Sequence, residues 1–236
     1  MFEKKSKTLE SILDDSVDFL RTSSLYGNIK IVRPKIKFVD NSKYQGLYAG
    51  IYFSRDYRIE IVENDKKHAL RLAISHEYFH HVQTMIGYSG YLWKEMSRYD
   101  VKTAAFIRGF EESSAEAFAV FYEANRKHSE KKKVDIITFY LKYKWKQSLA
   151  ALEALHDGKL SEYMDEMMKE EKSDKKDRRD MYMALIGSAY ISRGIALFAA
   201  KRNNFDFFKT MMYLTGDIYT IMNDIRTSNV SELKVL

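Results

Sequence analysis

Apolar side chains recur at two different spacings along the chain, and the spacing changes twice. In residues 8–21 they return every three or four positions, which predicts an amphipathic helix. Thr8 is a suitable N-cap for this helix. Its predicted apolar face consists of Leu9, Ile12, Leu13, Val17 and Leu20.

Residues 28–63 follow a strand-like pattern instead. Apolar and basic positions largely alternate over residues 29–39, which is typical of strands with one solvated face. Pro34 within this stretch marks an edge or a break. Two more strands are predicted at residues 46–53 and 57–62, joined by a short turn. Together these segments predict a small antiparallel sheet.

From residue 66 onward the apolar spacing is helical again, and only 1 Pro and 10 Gly occur in all 236 residues. The predicted helices cover residues 66–86, 91–107, 109–128, 132–156, 160–172, 180–201 and 205–226. We therefore expect an α+β fold. Residues 1–86 would form an amino-terminal subdomain of helix, antiparallel sheet and helix, and residues 87–236 a helical carboxyl-terminal subdomain of the same domain.

Composition narrows the class of protein. Hydrophobic residues make up 45% and charged residues 31% of the chain, which excludes a disordered, collagen-like or coiled-coil protein. The chain has no cysteine, so disulfides, thiolate metal sites and a cysteine nucleophile are excluded as well. An intracellular protein fits this composition.

Charge and hydropathy bear on partners and location. The excess of 39 basic over 33 acidic residues is spread along the chain, and the tract 165–180 mixes both signs. This pattern favours a solvated surface over a nucleic-acid interface. No segment resembles a membrane span, and the first residues lack the apolar region of a secretory signal. We therefore expect a cytoplasmic protein that does not engage a membrane.

The predicted helix 66–86 carries the motif His-Glu-x-x-His at residues 76–80. With about 3.6 residues per turn, His76 and His80 lie one turn apart on one face, so both imidazoles can reach one ion. Glu77 is rotated by about 100° from His76, close enough for its carboxylate to meet a water molecule on that ion. Two imidazoles and an open position suit Zn²⁺, and a glutamate beside the water can act as general base.

A third ligand is predicted on the helix 109–128. Glu112 and Glu116 lie one turn apart on one face of this otherwise apolar segment. Glutamate is rarely buried without a partner, so two carboxylates in such surroundings need a cation or hydrogen-bond donors. The alternative is an exposed acidic stripe. The His-Glu-x-x-His motif upstream favours a metal ligand over an exposed stripe.

These two segments resemble the gluzincin group of zinc metallopeptidases, the thermolysin and aminopeptidase type. In that group a His-Glu-x-x-His helix is followed by a helix that often reads Glu-Gly-x-Ala-Glu-x-Phe. The corresponding residues here are Glu112-Ser-Ser-Ala-Glu-Ala-Phe118, with Ser113 in place of the frequent glycine. The resemblance covers only these two helices. It implies a zincin-like catalytic domain with an active-site helix and a helical carboxyl-terminal subdomain.

The resemblance also implies roles for single residues. His76, His80 and Glu112 would bind zinc, and Glu77 would be the general base. Glu116 would hydrogen-bond the remaining nitrogen of a ligating histidine and so fix its tautomer.

Substrate contacts are implied in the same way. In gluzincins an edge strand before the active-site helix pairs with the substrate backbone. Its place in the order of elements is taken here by Tyr48, Ala49, Gly50 and Ile51. An oxyanion donor is usually a Tyr, His or Arg from the carboxyl-terminal part. Tyr190 is the predicted donor, with Tyr182 in reserve, and Arg193 is predicted to bind a substrate carboxylate or phosphate, or else a helix end.

The sequence thus predicts a zinc-dependent metallopeptidase that hydrolyses peptide bonds in peptide or protein substrates by metal-activated water. One alternative is a regulatory peptidase of the ImmA type, since Glu112-Ser-Ser-Ala-Glu-Ala-Phe-Ala119 also fits the Glu-x-x-Ala-x-x-Phe-Ala helix of those antirepressor enzymes. A second alternative is a non-catalytic binding protein that uses its basic surface for nucleic acid or a protein partner.

Overall fold

The computed structural model describes residues 2–27, 29–44, 49–64, 66–126, 129–142, 145–170, 176–229 and 234. The strands are β1 (Lys35–Val39), β2 (Gly50–Phe53) and β3 (Arg58–Val62), and a 3₁₀ turn spans Asn41–Tyr44. The helices are α1 (Phe2–Thr22), α2 (Lys67–Met85), α3 (Tyr88–Met96), α4 (Val101–Ala124), α5 (Glu130–Leu141), α6 (Trp145–His156), α7 (Leu160–Glu170), α8 (Lys176–Arg202), α9 (Phe207–Leu214) and α10 (Ile218–Thr227). The described chain belongs to the predicted α+β class and is mainly helical.

The sheet is mixed, so the prediction of an antiparallel sheet is wrong. β3 lies in the centre, with β1 parallel to it on one side and β2 antiparallel to it on the other. Alternating apolar and polar positions assign side chains to the two faces of a sheet, but they do not determine strand direction. The order β1-β3-β2 leaves β2 at an edge of the sheet.

Two predicted elements begin elsewhere than the apolar pattern indicates. α1 starts at Phe2, before the predicted cap Thr8. Residues 29–34 do not belong to a strand, and β1 begins directly after Pro34. Proline has no N–H group to donate to a neighbouring strand, which accounts for the shorter strand.

Several helices after residue 86 begin at other residues than the apolar spacing predicts, because capping side chains start new helices there. The carboxylates of Asp100 and Asp217 accept hydrogen bonds from backbone N–H groups in the first turns of α4 and α10. Each cap satisfies donors that have no partner inside the helix, so a new helix begins there. The predicted helices 91–107, 109–128, 132–156 and 205–226 are replaced by α3, α4, α5, α6, α9 and α10.

α4 packs against α2 and against α8. The ring of Phe79 in α2 stacks on Phe118 in α4, with centroids 4.8 Å apart. α8 approaches α4 at Gly109, where a Cβ atom would stand 3.0 Å from Cγ2 of Ile191. Burial of each phenylalanine contributes about 2 to 3 kcal/mol to stability. The two helices that carry the predicted metal ligands are therefore held together by the core itself.

The buried apolar residues form one cluster that extends from Leu9 in α1 to Ile225 in α10. This cluster includes side chains from both sides of residue 86, the predicted subdomain boundary. In the part of the chain that the structure describes, no helix combines the length and the apolar character needed to cross a membrane.

Candidate metal centre

His76, His80 and Glu112 come together where α2 faces α4. The Nε2 atoms of His76 and His80 are 3.1 Å apart. Oε2 of Glu112 lies 3.2 Å from Nε2 of His76 and 3.5 Å from Nε2 of His80. Within the described ranges, this is the one group of three or more His, Cys, Asp or Glu side chains that converges closely enough to hold a metal ion.

The spacing of these donor atoms fits a zinc ion. Zinc takes imidazole nitrogen and carboxylate oxygen at about 2.0 to 2.2 Å, which separates neighbouring donors of a tetrahedron by about 3.3 Å. The three observed separations, 3.1, 3.2 and 3.5 Å, lie around this value. The side chains are mostly sheltered, with 18%, 13% and 19% of the surfaces of His76, His80 and Glu112 exposed. Two imidazoles and one carboxylate leave a fourth position open.

Electrostatic interactions within the triad favour the protonated form of both histidines. Burial lowers the pKa of His80, but the charge of Glu112 and the hydrogen bond to it outweigh burial and raise that pKa to about 10. The pKa of His76 is raised in the same way, against the opposing effect of burial. Burial raises the pKa of Glu112, yet the two histidines hold it well below its usual range. A bound cation would take over the charge that these protons supply.

Glu77 lies beside the triad, between α2 and β2. Its side chain is buried, and burial raises the pKa of its carboxyl group, which also lies near the charge of Glu112. The backbone of Tyr52 hydrogen-bonds the carboxylate from β2. Gly50 leaves room for this side chain, since a Cβ atom there would stand 2.9 Å from Cγ of Glu77. The predicted base is therefore fixed next to the histidines by the edge strand.

The register of β2 shows which backbone groups face outward. The N–H of Val62 donates to the carbonyl of Ala49 at 2.9 Å, so this pair and every second pair after it are hydrogen-bonded inside the sheet. The backbone N–H and C=O of Ile51 consequently point to β3, whereas those of Gly50 and Tyr52 point to the free edge. Among the predicted substrate-binding residues, Ala49, Gly50 and Ile51 thus lie on or next to the edge strand. Tyr48 falls outside the described residues.

Two arginines stand next to the carboxylates of α4. Nη2 of Arg193 in α8 is 3.4 Å from Oε1 of Glu116, and Nη2 of Arg108 is 3.5 Å from Oε1 of Glu112. The resemblance predicts that Glu116 hydrogen-bonds a ligating histidine. Its hydrogen bond among the described residues goes to Arg193 instead, while its charge helps to raise the pKa of His76. Arg193 is thus next to the centre, and Arg108 is a neighbour that the sequence pattern does not indicate.

No contact between the predicted oxyanion donor, Tyr190, and the three ligands is among the described interactions. Tyr190 is half-buried in α8, next to Ile191, which packs against Gly109 one turn before Glu112. Its role stays a prediction. Tyr182 belongs to α8, but its side chain lies outside the described part.

Gln83 is a polar residue of the site that the sequence analysis does not single out. It is fully buried in α2, and its Oε1 lies 2.7 Å from Nδ1 of His80. The only signal in the sequence is its position, one turn after His80. His81, by contrast, points away from the triad, with Nε2 bonded to the carbonyl of Val32 and Nδ1 to the hydroxyl of Tyr52.

Comparison of the chain with profiles of known protein families, with characterised proteins and with solved structures gives no match.

Proposed function

We propose that this chain is a zinc-dependent metallopeptidase with a zincin-like catalytic fold. The observation that carries the proposal is the convergence of Nε2 of His76, Nε2 of His80 and Oε2 of Glu112 at separations of 3.1 to 3.5 Å. A buried carboxylate, Glu77, lies beside them. Three protein ligands and an open position are typical of catalytic zinc, whereas structural zinc is usually closed by four.

Zinc held by these ligands would polarise a carbonyl oxygen and lower the pKa of a water molecule to about 7. Glu77 is the base that takes a proton from the attacking water and returns it to the leaving amine nitrogen. The hydrogen bond from the backbone of Tyr52 orients its carboxylate. Burial raises the pKa of Glu77 toward the working pH, which suits a group that must both accept and release a proton.

The edge of β2 is the proposed binding place for the substrate backbone. An extended peptide can add to this edge through the outward-facing backbone groups of Gly50 and the carbonyl of Tyr52, as in other cases of strand addition. The N–H of Tyr52 is already bonded to Glu77. Arg193 is the proposed partner of a substrate carboxylate, and Tyr190 the proposed hydrogen-bond donor to the oxyanion that forms at the scissile carbonyl.

The first test is the zinc-to-protein ratio, measured by elemental mass spectrometry on protein purified without added metal. We expect a ratio near one for the wild type and a sharp fall for Glu112→Ala, because two histidines alone hold zinc weakly. A ratio near zero in the wild type, unchanged after zinc addition and buffer exchange, overturns the proposal and makes nucleic-acid binding the next property to test.

Activity is tested separately with fluorescence-quenched casein. Glu77→Gln keeps the shape of the side chain and removes its basicity, so we expect it to retain zinc and to lose hydrolysis. Hydrolysis at the wild-type rate by this variant contradicts the proposed mechanism. Cleavage of a single repressor, with casein left intact, would identify the ImmA-type alternative.

A further inference from the structure

The amide of Gln83 connects both ligand-bearing helices. From its position in α2 its Nε2 donates to the backbone carbonyl of Glu111 at 2.7 Å and to Oγ of Ser114 at 2.6 Å, both in α4. Its Oε1 lies 2.7 Å from Nδ1 of His80. The side chain is fully buried, so these three contacts take the place of water for the whole amide.

These contacts determine which ring nitrogen of His80 carries hydrogen. A carbonyl oxygen only accepts hydrogen bonds, so the side of the amide that faces Glu111 must be its NH₂ group. The opposite side is therefore the oxygen, which also only accepts. Nδ1 of His80 must then donate to Gln83, and the lone pair of a neutral His80 is located on Nε2.

Nε2 is also the atom of His80 that faces His76 and Glu112. We infer that Gln83 is a positioning residue for the metal centre, holding His80 in the Nδ1–H tautomer and in the ring orientation that presents Nε2 to a cation. This inference rests on the metal centre of the proposed function, though not on peptide hydrolysis. Partners of this kind commonly change metal affinity by about 10- to 100-fold when they are removed.

Gln83 also fixes the backbone of α4 next to a ligand. The carbonyl that it binds belongs to Glu111, the residue before Glu112. A purely structural role in joining α2 to α4 would need only the NH₂ group of the amide, which donates to α4. The tautomer role needs only the other half, the acceptor oxygen. Substitutions that keep one half and remove the other therefore separate the two roles.

The test compares three full-length variants. Gln83→Met keeps the length of the side chain and removes both halves. Gln83→Glu keeps an acceptor for Nδ1 of His80 and loses the NH₂ group toward Glu111. Glu123→Gln is the matched control, since Glu123 joins α4 to Arg71 of α2 and lies about 16 Å along the helix from Glu112. For each variant the zinc Kd is measured with a competing chelator, and the melting temperature is measured without metal.

We expect all three variants to melt at lower temperature, since each weakens the contact between α2 and α4. Zinc affinity should fall about 10- to 100-fold in Gln83→Met. It should stay within about threefold of the wild type in Gln83→Glu and in the distant control. In ¹⁵N-histidine spectra of the zinc-loaded protein, the Nδ1–H signal of His80 should persist in Gln83→Glu and be lost to exchange in Gln83→Met.

The result that overturns the inference is zinc affinity that follows melting temperature in all three variants, or wild-type affinity in Gln83→Met. A wild type that binds no zinc overturns both this inference and the proposed function. A wild type that binds zinc through Gln83-dependent geometry but does not hydrolyse peptides supports the inference and overturns the peptidase proposal alone.

Discussion

Gly50 in β2 and Glu77 in α2 are in such close contact that a Cβ atom on Gly50 would stand 2.9 Å from Cγ of Glu77. The same Cβ atom would stand 2.7 Å from Cδ1 of Ile61 in the central strand. The absence of a side chain at residue 50 thus lets the edge strand pass directly over the proposed base. A glycine at this position thus makes room for the carboxylate of the proposed base.

Gly50→Ala should therefore displace Glu77 while leaving the three ligands in place. The added methyl group cannot be accommodated without a shift of Glu77 or Ile61, and such overpacking costs about 1 to 3 kcal/mol of stability. We expect the variant to keep bound zinc and to lose at least about tenfold in kcat, because a misplaced base transfers protons poorly. Elemental analysis and casein hydrolysis measure the two quantities on the same sample.

The control for this prediction is Gly90→Ala in α3, where nothing lies within 4 Å of the added Cβ atom. Alanine is favoured over glycine in a helix by about 1 kcal/mol, so this variant should be as active as the wild type and slightly more stable. Equal activity losses in both variants would show that the contact with Glu77 is not the cause.

Tyr190→Phe tests the proposed donor to the oxyanion. Removal of such a donor typically lowers kcat by about 10²- to 10³-fold and leaves metal binding unchanged. Tyr163→Phe is a suitable control, because the hydroxyl of Tyr163 donates to the backbone of Gln147, a contact between α7 and α6. If kcat of Tyr190→Phe stays within a factor of two of the control, in steady-state assays, Tyr190 has no such role.

Arg71 and Glu123 join α2 to α4 through two short contacts, Nε to Oε2 at 2.6 Å and Nη2 to Oε1 at 2.5 Å. Only 15% and 12% of the two side chains are exposed. Arg71→Met leaves a sheltered carboxylate without its partner, which should cost about 2 to 3 kcal/mol of unfolding free energy. The double variant with Glu123→Leu should lose less than the sum of the single losses, as measured by urea unfolding. Additive losses would show that the pair is not coupled.

The site could be predicted from the sequence to the extent that it depends on helical periodicity. His76 and His80 are one turn apart in one helix, so local spacing predicts them as a pair of ligands. Spacing does not separate Glu112 from Glu116, and the choice of Glu112 depends on the resemblance of residues 112–118 to the second gluzincin helix. The partner of Glu116 could not be predicted, because Arg193 approaches it from another helix 77 positions along the chain. Gln83 was missed for a similar reason, since its donor contacts lie 28 and 31 positions away and one of them is a backbone carbonyl.

In the fold, too, some features follow from local spacing and others do not. The order of strands and helices follows from apolar spacing, which reflects burial of one face. The direction in which β1 pairs with β3 depends on how the chain crosses from β1 to β2. The alternation of apolar and polar residues does not determine this connection. Breaks between helices depend on single capping residues such as Asp100 and Asp217, whose effect on the backbone outweighs a continuous apolar pattern.

Zinc binding should release protons, because the ion must displace those that the histidines hold in the metal-free protein. The charge of Glu112 raises the pKa of His80 to about 10, so this ring is largely protonated in the metal-free protein at neutral pH. The pKa of His76 is raised as well, which adds to the protons bound there. Glu112, whose pKa is held low, is already ionised and contributes none. We expect between one and two protons to leave per zinc bound at about pH 7.

The raised pKa values of His80 and His76 also determine how zinc affinity changes with pH. Zinc affinity should increase with pH and level off only above about pH 10, where His80 has lost its proton in the metal-free protein. The metal-free protein should behave in the opposite way. A histidine whose folded pKa exceeds its ordinary value of about 6.5 stabilises the fold below that pH, and the contribution is lost as pH rises through about 10.

Isothermal titration of the wild type with zinc, at one pH and in several buffers of different ionisation enthalpy, measures the number of protons released. The observed enthalpy should change with the buffer, with a slope between one and two. Glu112→Gln supplies the comparison in the metal-free protein, since removal of its charge should lower the pKa of both histidines. NMR titration of the imidazoles should therefore show that they lose their protons at lower pH than in the wild type. A slope near zero in the wild type would contradict this prediction, since it would show that both imidazoles are already neutral in the metal-free protein at that pH.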